Sequence, residues 1–436
     1  MAALCLLLAF AGQACKEPTR PARAITLTVA DQGWANRDYQ RRLAEALDRF
    51  TRQTAIRVEV LPTPETAGQR LATWRKLLES RAKLPDVYGI DVIWPRILAD
   101  NLLDLRDYIP QQEIASHFPE LIANDTVNGR LVALPAYTSE GLLFYRSDLL
   151  RKYGFRAPPR SWQELEAMAR RIQAGERAKG IKDFWGFVWE GDPSETLTCN
   201  AMEWQMSEGG GTIIDENGKI TVNNPRTIRA WQRAAHWVGS ISPPGVVVYK
   251  EWDAQNVWLA GKAAFIRNWS SEYIATRDRD SPVRDTFDIA PLPGGTAGIA
   301  ATLGGSGFGV SRYSLHPREA AMLVRFLCSR DEQIKRCRKT SDAPTMPELY
   351  HEPEVLANNP QFPLVLEIFR KGVFLRPSGS AGKMYAQVSN AYSEAVHSVL
   401  TGKKSAAQAA GELQGELQRT LGTPVVISNS DLQQRR

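Results

Sequence analysis

The feature that most constrains this chain is a strand, a helix and a second strand in direct succession near its start. The run ITLTVA from Ile25 is rich in residues that favour β structure. After it, Leu43, Leu47 and Phe50 fall four and three apart, one face of a helix that ends near Thr54. The segment IRVEVLP from Ile56 then alternates as a strand. A second round follows, with a helix carrying Leu71, Trp74, Leu77 and Leu78 and a strand in PDVYGIDVIW from Pro85. Strand, helix, strand, helix, strand implies a parallel sheet wrapped by helices, with ligand groups at the carboxyl ends of the strands. Asp91 and Trp94 stand where the third strand opens into a loop. With 436 residues, 43% hydrophobic and 23% charged, the chain can bury two cores of ordinary domain size.

The net charge of +6 does not point to nucleic acid. Lys and Arg are spread among nearly as many acids, and no basic run interleaved with aromatics stands out. The five His are scattered and no Cys/His cluster has metal-ligand spacing, so neither a metal nor another cofactor is expected. The first fifteen residues, MAALCLLLAFAGQAC, form an apolar stretch too short to span a bilayer, followed by the polar KEPTRPAR. This reads as an export signal ending at Cys15, with residues 16–24 as a tether. No Lys or Arg precedes the apolar run, which leaves room for a start upstream of Met1. Cys199, Cys328 and Cys337 remain for the exported chain; Cys328 and Cys337 are near enough in sequence to bridge, and buried free thiols are the equal alternative.

The stretch DAQNVWLAGKAAFIRNWSSEY, from Asp253 to Tyr273, offers a binding platform. Val257 and Trp258 lie on a short helix that Gly261 stops, and Ala263 to Ile266 read as a buried strand that ends at Trp269. An aromatic ring at a strand end can face a cleft from a rigid backbone; a core tryptophan is the plain alternative. A helix begins after Ser161, with Glu164 placed for a capping box. The aromatic strand DFWGFVWEGD follows it, with one face for the core and the other for a cleft. Glycines 304, 305 and 307 would let backbone approach a ligand, although they lack P-loop or dinucleotide-fold spacing.

Several segments, in order, resemble the extracellular solute-binding proteins, family 1, the sugar receptors of ABC importers. GKAAFIRNW resembles the family segment whose Trp stacks on a sugar ring, which Trp269 matches. PDVYGIDVIW with LADNLLDL resembles the segment whose Asp accepts hydrogen bonds from sugar hydroxyls, matched by Asp91. GRLVALPAYTSEGLLFYRSDLL resembles the crossover between lobes, where Ser139 replaces a usual Asp, Glu140 follows it, and Tyr137 is a ring or hydroxyl contact. LTCNAMEWQMSEGGG brings in Glu203 and Trp204, TLGGSGFGVS brings in Gly305, and FLRPSGSAGKMYAQVSNAYSEAVHSVLTGK brings in Arg376, matching an arginine that fixes sugar hydroxyls. Cys15 after Ala14 resembles a lipobox, with Gly12 in place of the usual Leu.

The resemblance covers nearly everything after Arg23. It implies an α/β, two-lobed periplasmic-binding-protein fold of type II, with a first lobe of residues 25–137 and 290–345, a second of 138–289 and 346–424, and a tail of 425–436. It implies a monomeric, lipid-anchored extracytoplasmic receptor that captures a sugar, with an α-linked disaccharide such as trehalose or maltose first, and hands it to permease subunits. The candidate ligand residues are Asp91, Trp94, Tyr137, Ser139, Glu140, Glu203, Trp269, Gly305 and Arg376. Three alternatives stand beside it. Asp91 could simply cap the following helix, or pair with Glu203 as the acid and base of a glycoside hydrolase. A receptor for glycerol phosphate or polyamine would need further charged groups.

Overall fold

A computed structural model describes residues 25–31, 37–64 and 66–422. The export signal, Cys15, the tether and the 425–436 tail lie outside the described residues. The first β-α-β-α-β unit forms as its periodicity predicts: β1 (Thr26–Ala30), a helix over Arg37–Thr54, β2 (Arg57–Val60), a helix over Ala67–Glu79 and β3 (Val87–Asp91). β1 pairs parallel with both β2 and β3. A small hairpin of β4 (Thr126–Val127) and β5 (Arg130–Leu131) leads into the long β6 (Leu134–Arg146). The second lobe supplies β7 (Trp185–Val188), β8 (Ala263–Trp269) and β9 (Phe287–Ala290), and the chain returns through β10 (Ala301–Val310) and β11 (Val373–Phe374). Hydrogen bonding runs in the order β2-β1-β3-β10-β6-β8-β7, with β9 added to β6 and β11 to β10.

Both lobes are therefore α/β units joined by shared strands, the two-lobed type II binding-protein architecture. The flanking pairs β1 with β2 and β3, and β7 with β8, are parallel, whereas the crossing strands β6 and β10 are antiparallel to each other. Each crossing strand serves both lobes. Leu134–Glu140 of β6 faces β10, and Gly141–Tyr145 of the same strand faces β8. The register of β10 on β6 shifts between Ser306 and Gly307, an irregularity of the bulge type that bends the strand locally. A third connection passes beside them, as Thr138 and Ala343 exchange backbone hydrogen bonds of 2.8 and 3.1 Å.

One apolar cluster packs Leu27, Val29, Leu47 and Phe50 against Val310 and Leu327 on the outer side of the first lobe. A second runs from Trp74 and Trp94 under the crossing strands to Phe265, Trp204 and Trp237. Phe118 of the first lobe meets Tyr350 edge-on and Phe369 at a tilt, so the stretch beyond residue 346 also packs against that lobe. The aromatic strand differs from its expected half-exposed form. Phe184, Phe187, Val188 and Trp189 are all buried and Trp185 is half-buried, because helix Trp162–Ala178 and helix Glu251–Leu259 pack on the strand and the rings of Trp162 and Trp237 close on Phe187. Trp189 and Trp204 meet edge to face at 5.0 Å, which places Trp204 in the core. Cys199, Cys328 and Cys337 are buried and free. The thiols of Cys328 and Cys337 turn to different carbonyls, those of Leu134 and Asp342.

Candidate functional site

Four consecutive residues of β10 gather the candidates that sequence reading left far apart. Leu303 lends its carbonyl to Nη2 of Arg376 at 3.1 Å. Gly304 lies against the Trp269 ring, where a Cβ would sit 3.0 Å from Cζ3. Gly305 accepts a hydrogen bond from the backbone of Val92 at 3.3 Å, and Ser306 pairs with Asp91 across the sheet. Gly305 has φ of +120° and a Cβ there would stand 2.4 Å from the carbonyl of Tyr137. No other residue fits this close approach.

Asp91 ends β3, and its Oδ1 accepts the backbone N–H of Ile93 at 3.2 Å. It does close a turn, as the capping alternative holds, though not as the helix cap itself, which is Trp94 without a side-chain bond. The same oxygen lies 3.8 Å from Nη2 of Arg376. Burial raises the Asp91 pKa, and the Arg376 charge offsets part of that rise. Arg376 is buried; its Nη1 donates to Glu195 at 2.7 Å. Glu195 also accepts from Tyr385 at 2.5 Å and from Ser389 at 2.6 Å. The Nε of Arg376 has no hydrogen-bond partner among the described residues.

Trp269 ends β8 half-buried, and its indole N–H donates to Glu251 at 2.9 Å. The guanidinium of Arg267 covers one ring face, 4.1 Å from the centroid. Glu272, three residues on, has its carboxyl pushed up to about 7 by burial and then by Glu251, Asp342 and Glu190. Burial lowers the pKa of the Arg70 guanidinium, and the acidic groups of Asp91, Tyr137, Asp31 and Glu251 oppose that fall. Tyr137 is half-buried, its phenol pKa raised by burial and by Asp342, Asp31 and Asp91. It also lines a cavity of about 180 Å³ with Tyr39, Arg42 and Arg336.

The remaining candidates stand elsewhere. Trp94 is buried edge-on against Trp74 at 6.4 Å and belongs to the core. Ser139 turns to the hydroxyls of Ser270 and Ser271 at 3.2 and 3.3 Å, tying β6 to the end of β8. Glu140 is fully buried in that same joint, accepting from Thr138 at 2.6 Å and Ser270 at 3.0 Å, with burial raising its carboxyl to about 7. Glu203 is fully buried as well, closed on Arg267 through bonds of 2.9 and 2.6 Å. A carboxylate so enclosed has no oxygen free for a ligand.

Sequence reading did not single out Glu195, Glu251, Glu272 or Arg267. Arg267 was within reach, since it precedes Trp269 by two on one strand and so shares its face. Glu195 gave no such signal; it meets Arg376 only through the fold. Among the described residues, no group of three or more His, Cys, Asp or Glu is disposed to hold a metal. No helix among them is long and apolar enough to cross a membrane.

A two-lobed α/β frame with polar and aromatic side chains converging where strands cross between lobes defines a solute receptor. The chain belongs to the bacterial extracellular solute-binding proteins, whose family model matches residues 36–334, and so to the solute-binding components of ABC transporters. It is 43% identical over 403 residues to a probable ABC transporter-binding protein of Deinococcus radiodurans, covering 92% of this chain and 95% of that one. Maltose-bound MalE3 of T. maritima superposes with a TM-score of 0.83 at 32% identity, over 91% of this chain and 100% of the other. The GacH receptor of Streptomyces glaucescens shares the fold, with a TM-score of 0.79 at 22% identity over 92% and 99% of the two chains.

Proposed function

We propose that this protein is the saccharide receptor of a carbohydrate ABC importer and takes an α-linked disaccharide such as trehalose or maltose between its lobes. The observation that carries the reading is the convergence on Leu303–Ser306 of a flat aromatic face, an acid and a planar cation. Ring C–H groups pack on Trp269, while Asp91, Arg376 and the backbone at Gly305 pair with hydroxyls that would otherwise lose their water unsatisfied. The similarity to maltose-bound MalE3 supports the choice of sugar. Residues 25–137 and 290–345 form one lobe in this reading, and 138–289 and 346–424 the other. Closure about β6 and β10 presents the liganded form to the permease, and Cys15 anchors the monomer by lipid outside the cytoplasm.

The geometry weighs against the alternatives. A hydrolase built on Asp91 and Glu203 would need Glu203 to exchange a proton with substrate, yet it is enclosed by Arg267. A phosphate-bearing ligand would meet the acidic groups of Asp91, Glu195, Glu251 and Glu272 in the same region, where the charge of Arg376 is already balanced by Glu195, whereas a neutral hydroxyl meets no such repulsion. A thermal-shift screen of the purified protein against mono- and disaccharides, polyols, glycerol phosphate and amino acids tests the reading. A ligand that binds only the folded state raises Tm by mass action. A selective rise with trehalose or maltose, with no reducing ends released on long incubation, is the expected result; a rise with charged solutes alone would overturn it.

A further inference from the structure

The Trp269 ring is held from beneath by an ion pair that also bonds to one crossing strand, β10, and packs on the other, β6. Arg267 is fully buried, and a buried guanidinium is costly unless paired. Glu203 pairs with it through two bonds, and Glu190 stands 3.6 Å from Nη1. Oε1 of Glu203 also accepts the backbone N–H of Thr302 on β10 at 3.1 Å. That oxygen fills the place of a side chain at Gly141 on β6, where a Cβ would lie 2.2 Å from it. Among the described residues, Nη1 of Arg267 and Oε1 of Glu190 find no hydrogen-bond partner, so as a device for stability alone this triad is poorly made.

Above it, the guanidinium covers one face of the indole, Glu251 fixes the N–H and Gly304 lies against the six-membered ring. We propose that Arg267, held by Glu203, is a positioning residue for ligand capture: it fixes the Trp269 ring so that the opposite face meets the sugar, and it ties that face to the strands about which the lobes close. The proposal rests on the saccharide reading of the site. Sequence spacing puts Arg267 and Trp269 on one face of β8, and the buried pair supplies the rigidity that a half-buried ring needs to lose little freedom on binding.

The test is a double-mutant cycle on the full-length protein. Affinity for the saccharide found in the screen is measured for Arg267→Met/Glu203→Gln, which removes both charges, in the native and Trp269→Leu backgrounds, with Tm recorded for each. The expected result is at least about a tenfold loss in the native background and less than about a twofold further loss once Trp269 is gone. Equal losses in both backgrounds would overturn the proposal. Fluorine NMR of protein labelled with 5-fluorotryptophan reads the ring without any ligand, its residue 269 signal assigned by Trp269→Phe. That signal shifts or broadens in Arg267→Lys, which keeps the charge but not the planar face; an unchanged signal would overturn the proposal. Should native protein bind no saccharide, the saccharide reading fails while the fluorine measurement still decides the role of Arg267, also where the double variant does not fold.

Discussion

Nη2 of Arg376 lies 3.8 Å from Oδ1 of Asp91, and this approach joins a residue of β3 to one that follows β11. Arg376 faces Glu195 as well, so a single cation stands between two carboxylates at the crossing of the strands. Asp91→Asn removes one of them while keeping an acceptor for Ile93. A hydrogen bond to a charged group contributes about 1.5–3 kcal/mol, and the variant should bind saccharide more weakly by that amount, with Tm little changed. Calorimetric titration of the two proteins checks it.

Arg376→Lys keeps the charge and loses the planar fork that reaches Glu195, Leu303 and the neighbourhood of Asp91 at once. Affinity should fall about as far as in Asp91→Asn. Arg376→Ala leaves Asp91 and Glu195 without their cation, and thermal melts should show a drop in Tm larger than for the lysine variant.

Glu140 sets a pH dependence of stability. Its carboxyl is pushed up to about 7 from 4.5, mainly by burial, with Thr138 and Ser270 opposing the rise. The folded state thus binds more protons than the unfolded state between those values, and stability falls as pH rises through that window. Its contribution is fully present below about 4.5 and lost above about 7. Melts of wild type and Glu140→Gln at pH 5 to 8 should diverge, the wild type losing Tm relative to the variant as pH rises. Parallel profiles would show that Glu140 does not titrate there.

Gly141 leaves room for Glu203 rather than for a turn. A methyl at this position would stand 2.2 Å from Oε1 of Glu203 and 2.9 Å from Nη2 of Arg267. Overpacking of this kind costs about 1–3 kcal/mol, so Gly141→Ala should lower the denaturant midpoint. Because it disturbs the support of Trp269, it should also weaken ligand binding.

Much of the fold was legible because it follows from local patterns. The spacing of Leu43, Leu47 and Phe50 foretold the helix Arg37–Thr54, and the run ending in Trp269 foretold β8. The aromatic strand misled, since alternation tells which residues share a face and not whether a second layer covers it. The site was legible only in part for the same reason. Motif likeness carries a residue type to a position, yet Trp94, Glu140 and Glu203 are enclosed by neighbours distant in sequence. Glu195 stayed hidden because its partners Arg376, Tyr385 and Ser389 meet it only after folding.

The central claim, that a saccharide is held on Trp269 beside Asp91 and Arg376, is tested most directly by calorimetric titration of wild type and Trp269→Ala with trehalose and maltose. Loss of a buried aromatic anchor costs about 2 kcal/mol or more, roughly thirtyfold in Kd. The account predicts saturable binding to the wild type and a loss of at least that size in the variant, whose half-buried position leaves the fold intact. Equal affinity in the two proteins, or no heat of binding from either sugar with the wild type, would contradict it.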